Sequence, residues 1–333
     1  MSLIDEGVNE VKSEEVIIVG GGPCGLSAAI ELQKVGITPL VIEKGNIVNA
    51  IYHYPTHQTF FSSSEKLEIG DVPFITENRK PVRNQALAYY REVVKRKQVR
   101  VNAFERVNAV KKQADESFIV ETSKETYQAN YVIIATGYYD NPNYMGVAGE
   151  DLPKVYHYFK EAHPYFDKDV VVIGGKNSSV DAALELVKSD ARVTVLYRGL
   201  EYSKSVKPWI LPEFDALVRN EVINMKFGAE LKEITEDAVT YMQGEKEYTI
   251  PNDFVFAMTG YHPDHSFLTK MGVDIDSITG RPFYNEQTME TNMQGIFIAG
   301  VIAAGNNANE IFIENGRFHG GQIAAYLKKK MTM

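Results

Sequence analysis

The residues with the clearest chemistry are Gly20-Gly21-Gly22-Pro23-Cys24-Gly25, which fit the spacing G-x-G-x-x-G. Each glycine has its own physical task. Gly20 allows a tight turn, Gly22 lets backbone approach a pyrophosphate, and Gly25 lets a helix pack against a strand. The free N–H groups and dipole of the following helix would then bind phosphate. Glu43 is spaced to accept hydrogen bonds from an adenosine ribose. A second, altered copy reads Gly174-Gly175-Lys176-Asn177-Ser178-Ser179, with Lys176 at the second glycine position and Ser179 at the third. Ser179 is small enough for close packing, whereas the Lys176 side chain either points away or contacts phosphate as a point charge. At the end of the next strand, Tyr197-Arg198 stands where an acidic residue would select NADH, with Lys204 and Lys207 close downstream. An arginine accommodates a 2′-phosphate that a carboxylate would repel, so the second copy favours NADPH over NADH.

These residues need strands and helices to position them, and the flanking patterns supply both. Residues 16–19 and 38–42 are apolar and β-branched, as buried parallel strands are, and a helical pattern lies between them. Residues 46–74 lack periodicity and read as loop with short helix. Residues 83–97 read as an amphipathic helix, and residues 99–111 and 117–122 as a β-meander. Residues 127–134 form an apolar strand running into Ala135-Thr136-Gly137. The turn-rich residues 141–153 mark a boundary. The second fingerprint follows, with strands at 170–173 and 193–197 around a helix at 180–188. Another meander at 230–250 ends in Thr259-Gly260-Tyr261, echoing the first half, and residues 295–300 form a last buried strand before a helix through Tyr326. The expected fold is therefore α/β, with two Rossmann-like dinucleotide-binding domains. The second, 149–287, is inserted into the first, 1–148 and 288–333.

The 333 residues suffice for two domains, and 44% hydrophobic content can build their cores. A net charge of −9 argues against nucleic-acid binding, which needs clustered cations. No apolar run approaches the roughly 18 residues of a membrane span. The first fifteen residues lack a basic patch and apolar core, so they read as a disordered leader rather than a signal peptide. One cysteine, Cys24, excludes an intrachain disulfide and fits a reducing, cytoplasmic setting. The seven histidines, among them His53, His57, His157, His163 and His319, offer proton donors but no metal-ligand spacing with cysteines, so no metal is expected.

With both fingerprints, the A-T-G turn and Gly-Ile-Phe-Ile-Ala-Gly (295–300) placed, the chain resembles the thioredoxin-reductase-like flavoproteins over most of its length. Within that group, G-G-G-P-C-G, the segment 52–62, G-G-K-N-S-S-V-D-A-A and E-N-G-R-F-H-G-G-Q are similar to the bacillithiol-disulfide reductases (YpdA type). The resemblance implies FAD in the outer domain and NADPH in the inserted one. The candidate FAD contacts are Gly20, Gly22, Pro23, Cys24, Gly25, Glu43, Lys44, His57, Val107, Thr136, Gly137, Gly300 and Val301. Those for NADPH are Gly174, Gly175, Lys176, Asn177, Ser178, Ser179, Arg198 and Lys204. It also implies a small-molecule disulfide substrate, a bacilliredoxin-type protein partner and a homo-oligomer.

The departures narrow the reading. Phe159 and Ala162 stand where thioredoxin reductases carry their redox cysteine pair. Gly300-Val301 replaces the family's Gly-Asp, whose acid holds the flavin's ribitol. A flavin-monooxygenase signature aligned on His157 is broken by Asp151 and Pro153. Cys24 has two readings: a nucleophilic thiol activated at a helix N-terminus, or a small buried side chain packing like alanine. FAD phosphates at the same positive end would oppose thiolate formation. The expected activity is NADPH-dependent reduction of bacillithiol disulfide through flavin, with or without Cys24. A ferredoxin- or flavodoxin-NADP reductase, or a dinucleotide-binding sensor, are the alternatives.

Overall fold

The computed structural model describes residues 11–307 and 309–332. The first ten residues, where most of the expected leader lies, are outside them. The chain divides into an outer unit, Met1–Tyr52, Gln58–Asn141 and Tyr261–Met333, and a second unit, His53–His57 and Pro142–Gly260. The second is thus an insertion in chain order.

The outer unit is built on the strand Lys12–Val19, whose Val16, Ile17 and Ile18 are fully buried. It pairs in parallel with Leu40–Ile42 on one side and Thr126–Ile134 on the other. Thr126–Ile134 serves two partners along its length: its first residues pair antiparallel with Phe118–Thr122, its last in parallel with Ile296–Ile298. A Rossmann sheet and a meander are thereby fused into one seven-stranded sheet. Helices Pro23–Lys34 and His319–Met331 pack together, and their approach is close at Gly320. A Cβ there would overlap Ala28 Cα and stand 2.8 Å from Ala28 N.

The second unit has a five-stranded parallel sheet ordered Ile223–Phe227, Arg192–Tyr197, Asp169–Ile173, Phe254–Ala257, Val155–Tyr156. A three-stranded antiparallel sheet, Ala229–Ile234, Ala238–Gln243 and Lys246–Pro251, completes it.

One local expectation differs from the structure. Residues 99–111 are not one strand: Arg100–Asn102 joins Leu40–Ile42 in parallel, and the meander starts only at Val107–Lys112. The break falls at Phe104, whose φ is +56°. The two units change over at 141/142 and 260/261. Residues 261–287 are held by the outer unit: His262 N–H donates to the Asn141 carbonyl at 3.0 Å, and helix His265–Lys270 lies against Val107–Lys112. Helix Leu211–Arg219 and edge strand Ile223–Phe227 carry no signal that singled them out beforehand. Among the described residues no helix is long and apolar enough to cross a membrane.

Candidate functional site

In the outer unit the strand Lys12–Val19 runs into Gly20, at φ +111°, where a Cβ would stand 2.8 Å from the Ala135 carbonyl carbon. Gly20 N–H donates to the Ile42 carbonyl at 2.9 Å, tying the turn to the next strand. Gly22 caps helix Pro23–Lys34 in an ordinary extended conformation. A Cβ on it would touch no protein atom within 4 Å, so its missing side chain serves whatever approaches from outside. Pro23 takes the first helical turn, where its absent N–H removes no bond. At Gly25 a Cβ would overlap the Gly20 carbonyl, so the third glycine is sterically required.

Glu43 is buried, and its carboxylate accepts the N–H groups of Gly21 and Gly45, each at 2.7 Å. Burial raises its pKa, and those two N–H donors oppose the rise. Lys44 pairs with Asp140 at 2.9 Å. The turn leading to Val107 is fastened beside Glu43: Phe104 N–H donates to the Gly45 carbonyl and Glu105 N–H to the Glu43 carbonyl, both at 2.9 Å. On the other side, Thr136 Oγ1 is buried without a hydrogen-bond partner, next to Gly137 at φ +71°. A buried hydroxyl left unpaired in a protein is uncommon. With the open approach at Gly22, it fits a polar ligand lying along this edge. At the C-terminal side, Gly300 has φ +83° and its N–H donates to His319 Nδ1 at 3.1 Å. Val301 starts a short 3₁₀ turn and brings no acid to replace the expected ribitol contact.

Cys24 lies in the first turn of that helix, against two distant glycines. A Cβ on Gly300 would stand 3.1 Å from its Sγ, and one on Gly316 3.0 Å. Burial pushes the thiol up to about 12. That desolvation opposes the thiolate that a helix N-terminus would favour.

The inserted unit repeats the plan. Strand Asp169–Ile173 runs into Gly174 at φ +137°, whose N–H donates to the Leu196 carbonyl at 2.9 Å, as Gly20 does to Ile42. Lys176 caps helix Asn177–Lys188 in extended conformation with its side chain exposed. Its backbone therefore takes the place of Gly22 without needing glycine's freedom. Ser179 is buried, and its hydroxyl donates to the Lys176 carbonyl at 2.8 Å. Ser178, Arg198 and Lys204 are exposed.

The two units differ most where the acid would be. Over Gly21 lies Glu43, 3.0 Å from an ideal Cβ. Over Gly175 lies the ring of Tyr197, its Cδ1 2.5 Å from an ideal Cβ, and Gly199 backs the same ring on its phenol side. The ring of Tyr197 thus takes the place over the second loop that the Glu43 carboxylate takes over the first. His57 lies in the inserted unit, edge-on to Phe159, with Nδ1 3.8 Å from the Glu185 carboxylate. Residues 53–57 leave the outer unit and return within five residues.

A strand–glycine turn–helix cradle in each of two units defines a two-dinucleotide oxidoreductase, and the chain belongs to the pyridine nucleotide-disulphide oxidoreductase family, whose pattern matches residues 17–300. Flavin and nicotinamide dinucleotides are the cofactors of that class. Among individual proteins, the chain is similar to the bacilliredoxin reductase Bdr of Bacillus subtilis, with 77% identity over 95% of this chain and 98% of that protein. It superposes on the bacillithiol disulfide reductase Bdr (YpdA) of Bacillus cereus with a TM-score of 0.95 at 76% identity, over 96% of this chain and 100% of that one. The Staphylococcus aureus enzyme of the same name gives 0.93 at 61% identity, over 96% and 99%. A thioredoxin reductase of T. acidophilum shares the fold, with a TM-score of 0.77 at 22% identity, over 97% of this chain and 100% of that one.

Proposed function

We propose that this chain is an NADPH-dependent FAD enzyme that reduces bacillithiol disulfide. The observation that carries the reading is the repeated cradle: Gly20 and Gly174 make the same 2.9 Å bond to the neighbouring strand, with the Glu43 carboxylate over the first loop and the Tyr197 ring over the second. FAD is assigned to the outer unit, with its pyrophosphate at Gly20–Gly25, its ribose at Glu43 and its remaining length along Thr136, Gly137 and Gly300. NADPH is assigned to the loop 174–179, with Arg198 and Lys204 toward the 2′-phosphate. Bound flavin supplies two-electron transfer, and the balanced reaction is hydride plus disulfide giving one thiol and one thiolate. Relatives named for bacillithiol disulfide and bacilliredoxin supply the substrate class and the protein partner.

With Phe159 and Ala162 in place of a cysteine pair, Cys24 is the only thiol available to carry a mixed disulfide. Its enclosure by Gly300 and Gly316 favours direct transfer at the flavin, with Cys24 as a packing side chain. Anaerobic titration with NADPH and then bacillithiol disulfide tests the whole reading. Bleaching of the flavin band followed by disulfide-dependent reoxidation is expected. A Cys24→Ala protein that keeps its flavin but loses that reoxidation would return the relay to Cys24. Bleaching without reoxidation by disulfide would instead favour a protein electron acceptor. A 28% identity to a ferredoxin–NADP reductase of Ignicoccus hospitalis, over 86% of this chain, supports that second reading.

A further inference from the structure

Both polar atoms of the Asn177 side chain are committed to one loop. Its Nδ2 donates to the Ser205 carbonyl at 2.9 Å, and its Oδ1 accepts the Lys207 N–H at 2.9 Å. Asn177 is the first residue of helix Asn177–Lys188, and the cap is the backbone of Lys176, so Asn177 is not spent on capping. The loop thus takes the Oδ1 and one of the two Nδ2 N–H groups of Asn177. Between its two attachment points lies Val206, buried in the apolar core of the inserted unit. The Ser203 and Ser205 hydroxyls bond each other at 2.8 Å and stiffen the same turn. The loop so held carries Lys204 and Lys207.

Topology says where those cations are kept. Helix Asn177–Lys188 starts at the carboxyl end of strand Asp169–Ile173, and Arg198 directly follows strand Arg192–Tyr197. The two strands are parallel neighbours, with Ile173 opposite Leu196. Asn177 therefore brings residues 204–207 to the same sheet end as Arg198. Lysine side chains are long and lose much rotamer freedom on binding, and an unheld loop would add backbone ordering to that loss. A loop held beforehand avoids the second penalty.

We propose that Asn177 is a positioning residue that sets the preference for a dinucleotide bearing a 2′-phosphate, by holding the Lys204–Lys207 loop beside Arg198. The inference rests on the reading that the inserted unit takes NADPH. It assigns Asn177 a role apart from direct cofactor contact.

The test is calorimetric binding of 2′,5′-ADP and of 5′-AMP to the FAD-loaded protein, which needs no turnover. The unaltered protein is expected to prefer 2′,5′-ADP. Asn177→Ala is expected to weaken 2′,5′-ADP tenfold or more and to leave 5′-AMP within twofold. Asn177→Ser keeps a neutral hydroxyl at the helix start but shortens the reach to the Ser205 carbonyl and Lys207 N–H, and is expected to fall between. It also serves if the alanine variant does not fold. An unaltered ratio of the two affinities in both variants, or equal loss of both ligands, overturns the positioning role while leaving the NADPH reading intact. Absence of any 2′,5′-ADP preference in the unaltered protein overturns the NADPH reading, and this role with it.

Discussion

Cys24 Sγ faces Gly316 so closely that a Cβ at 316 would stand 3.0 Å from the sulfur, and Gly300 closes the thiol from another side. Two residues nearly three hundred positions downstream thus govern the chemistry of the one cysteine. With its pKa pushed up to about 12, roughly one thiol in ten thousand is ionised at pH 8. Alkylation of native protein by iodoacetamide is expected to be roughly thirty- to a hundredfold slower than in guanidinium, after allowance for the greater nucleophilicity of a more basic thiolate. Equal native and denatured rates would show an open, ionised thiol and would revive the nucleophilic reading.

Asp181 gives a pH prediction. Burial, with the nearby Glu185 charge adding to it, raises its carboxyl from 3.8 to about 6. In the unfolded chain it ionises near pH 4, and in the folded chain not until about pH 6. Stability associated with this group is therefore fully present below pH 4 and lost as pH rises through 6. Asp181→Asn removes that loss. Melting curves of the two proteins are expected to agree near pH 4 and to separate between pH 4 and 6, with the variant more stable above. The gap is at most about 3 kcal/mol from a shift of this size. A variant that is less stable than the parent at pH 7.5 would show that the carboxylate is stabilised by contacts outweighing its burial.

Gly320 probes the packing behind the first cradle. Because a Cβ there meets Ala28 backbone rather than a flexible side chain, Gly320→Ala must separate helices Pro23–Lys34 and His319–Met331. Overpacking of this kind costs about 1–3 kcal/mol. A lower melting temperature and faster flavin loss on dilution are expected, since the displaced helix carries the phosphate-binding turn. Unchanged melting would mean that the interface is looser than the described contact.

Arg198 probes the second cradle directly. A charge-assisted bond to phosphate contributes about 1.5–3 kcal/mol. Arg198→Ala is therefore expected to raise KM for NADPH by roughly ten- to a hundredfold, with KM for NADH changed little. Parallel losses with both nucleotides would place Arg198 elsewhere than at the 2′-phosphate.

Much of this protein is written in short stretches. A buried strand, a glycine turn and a helix follow one another within about twenty residues, so residues 16–36 and 170–188 declare both cradles before any fold is known. The helix Arg83–Lys97 is bounded in the structure as its apolar spacing indicates. Hydrogen bonds between residues four apart, and sterics between a Cβ and its own backbone, are local forces, and local sequence determines their outcome.

Tertiary structure alone decided the rest, because the deciding contacts join residues that sequence order keeps apart. Residues 99–111 alternate like one strand, but a parallel partner at Leu40–Ile42 claims the first part and an antiparallel one at Phe118–Thr122 the second. His57 carries no mark of leaving the outer unit, since only packing on Phe159 and Glu185 places it. Asn177 reads as one more polar residue of a phosphate loop until its amide is seen holding residues twenty-eight and thirty positions away. The helix start leaves Cys24 with two readings, and the neighbours that bear on them, Gly300 and Gly316, come from the far end of the chain. Desolvation depends on everything that surrounds a group, and that is a property of the folded chain rather than of any segment of it.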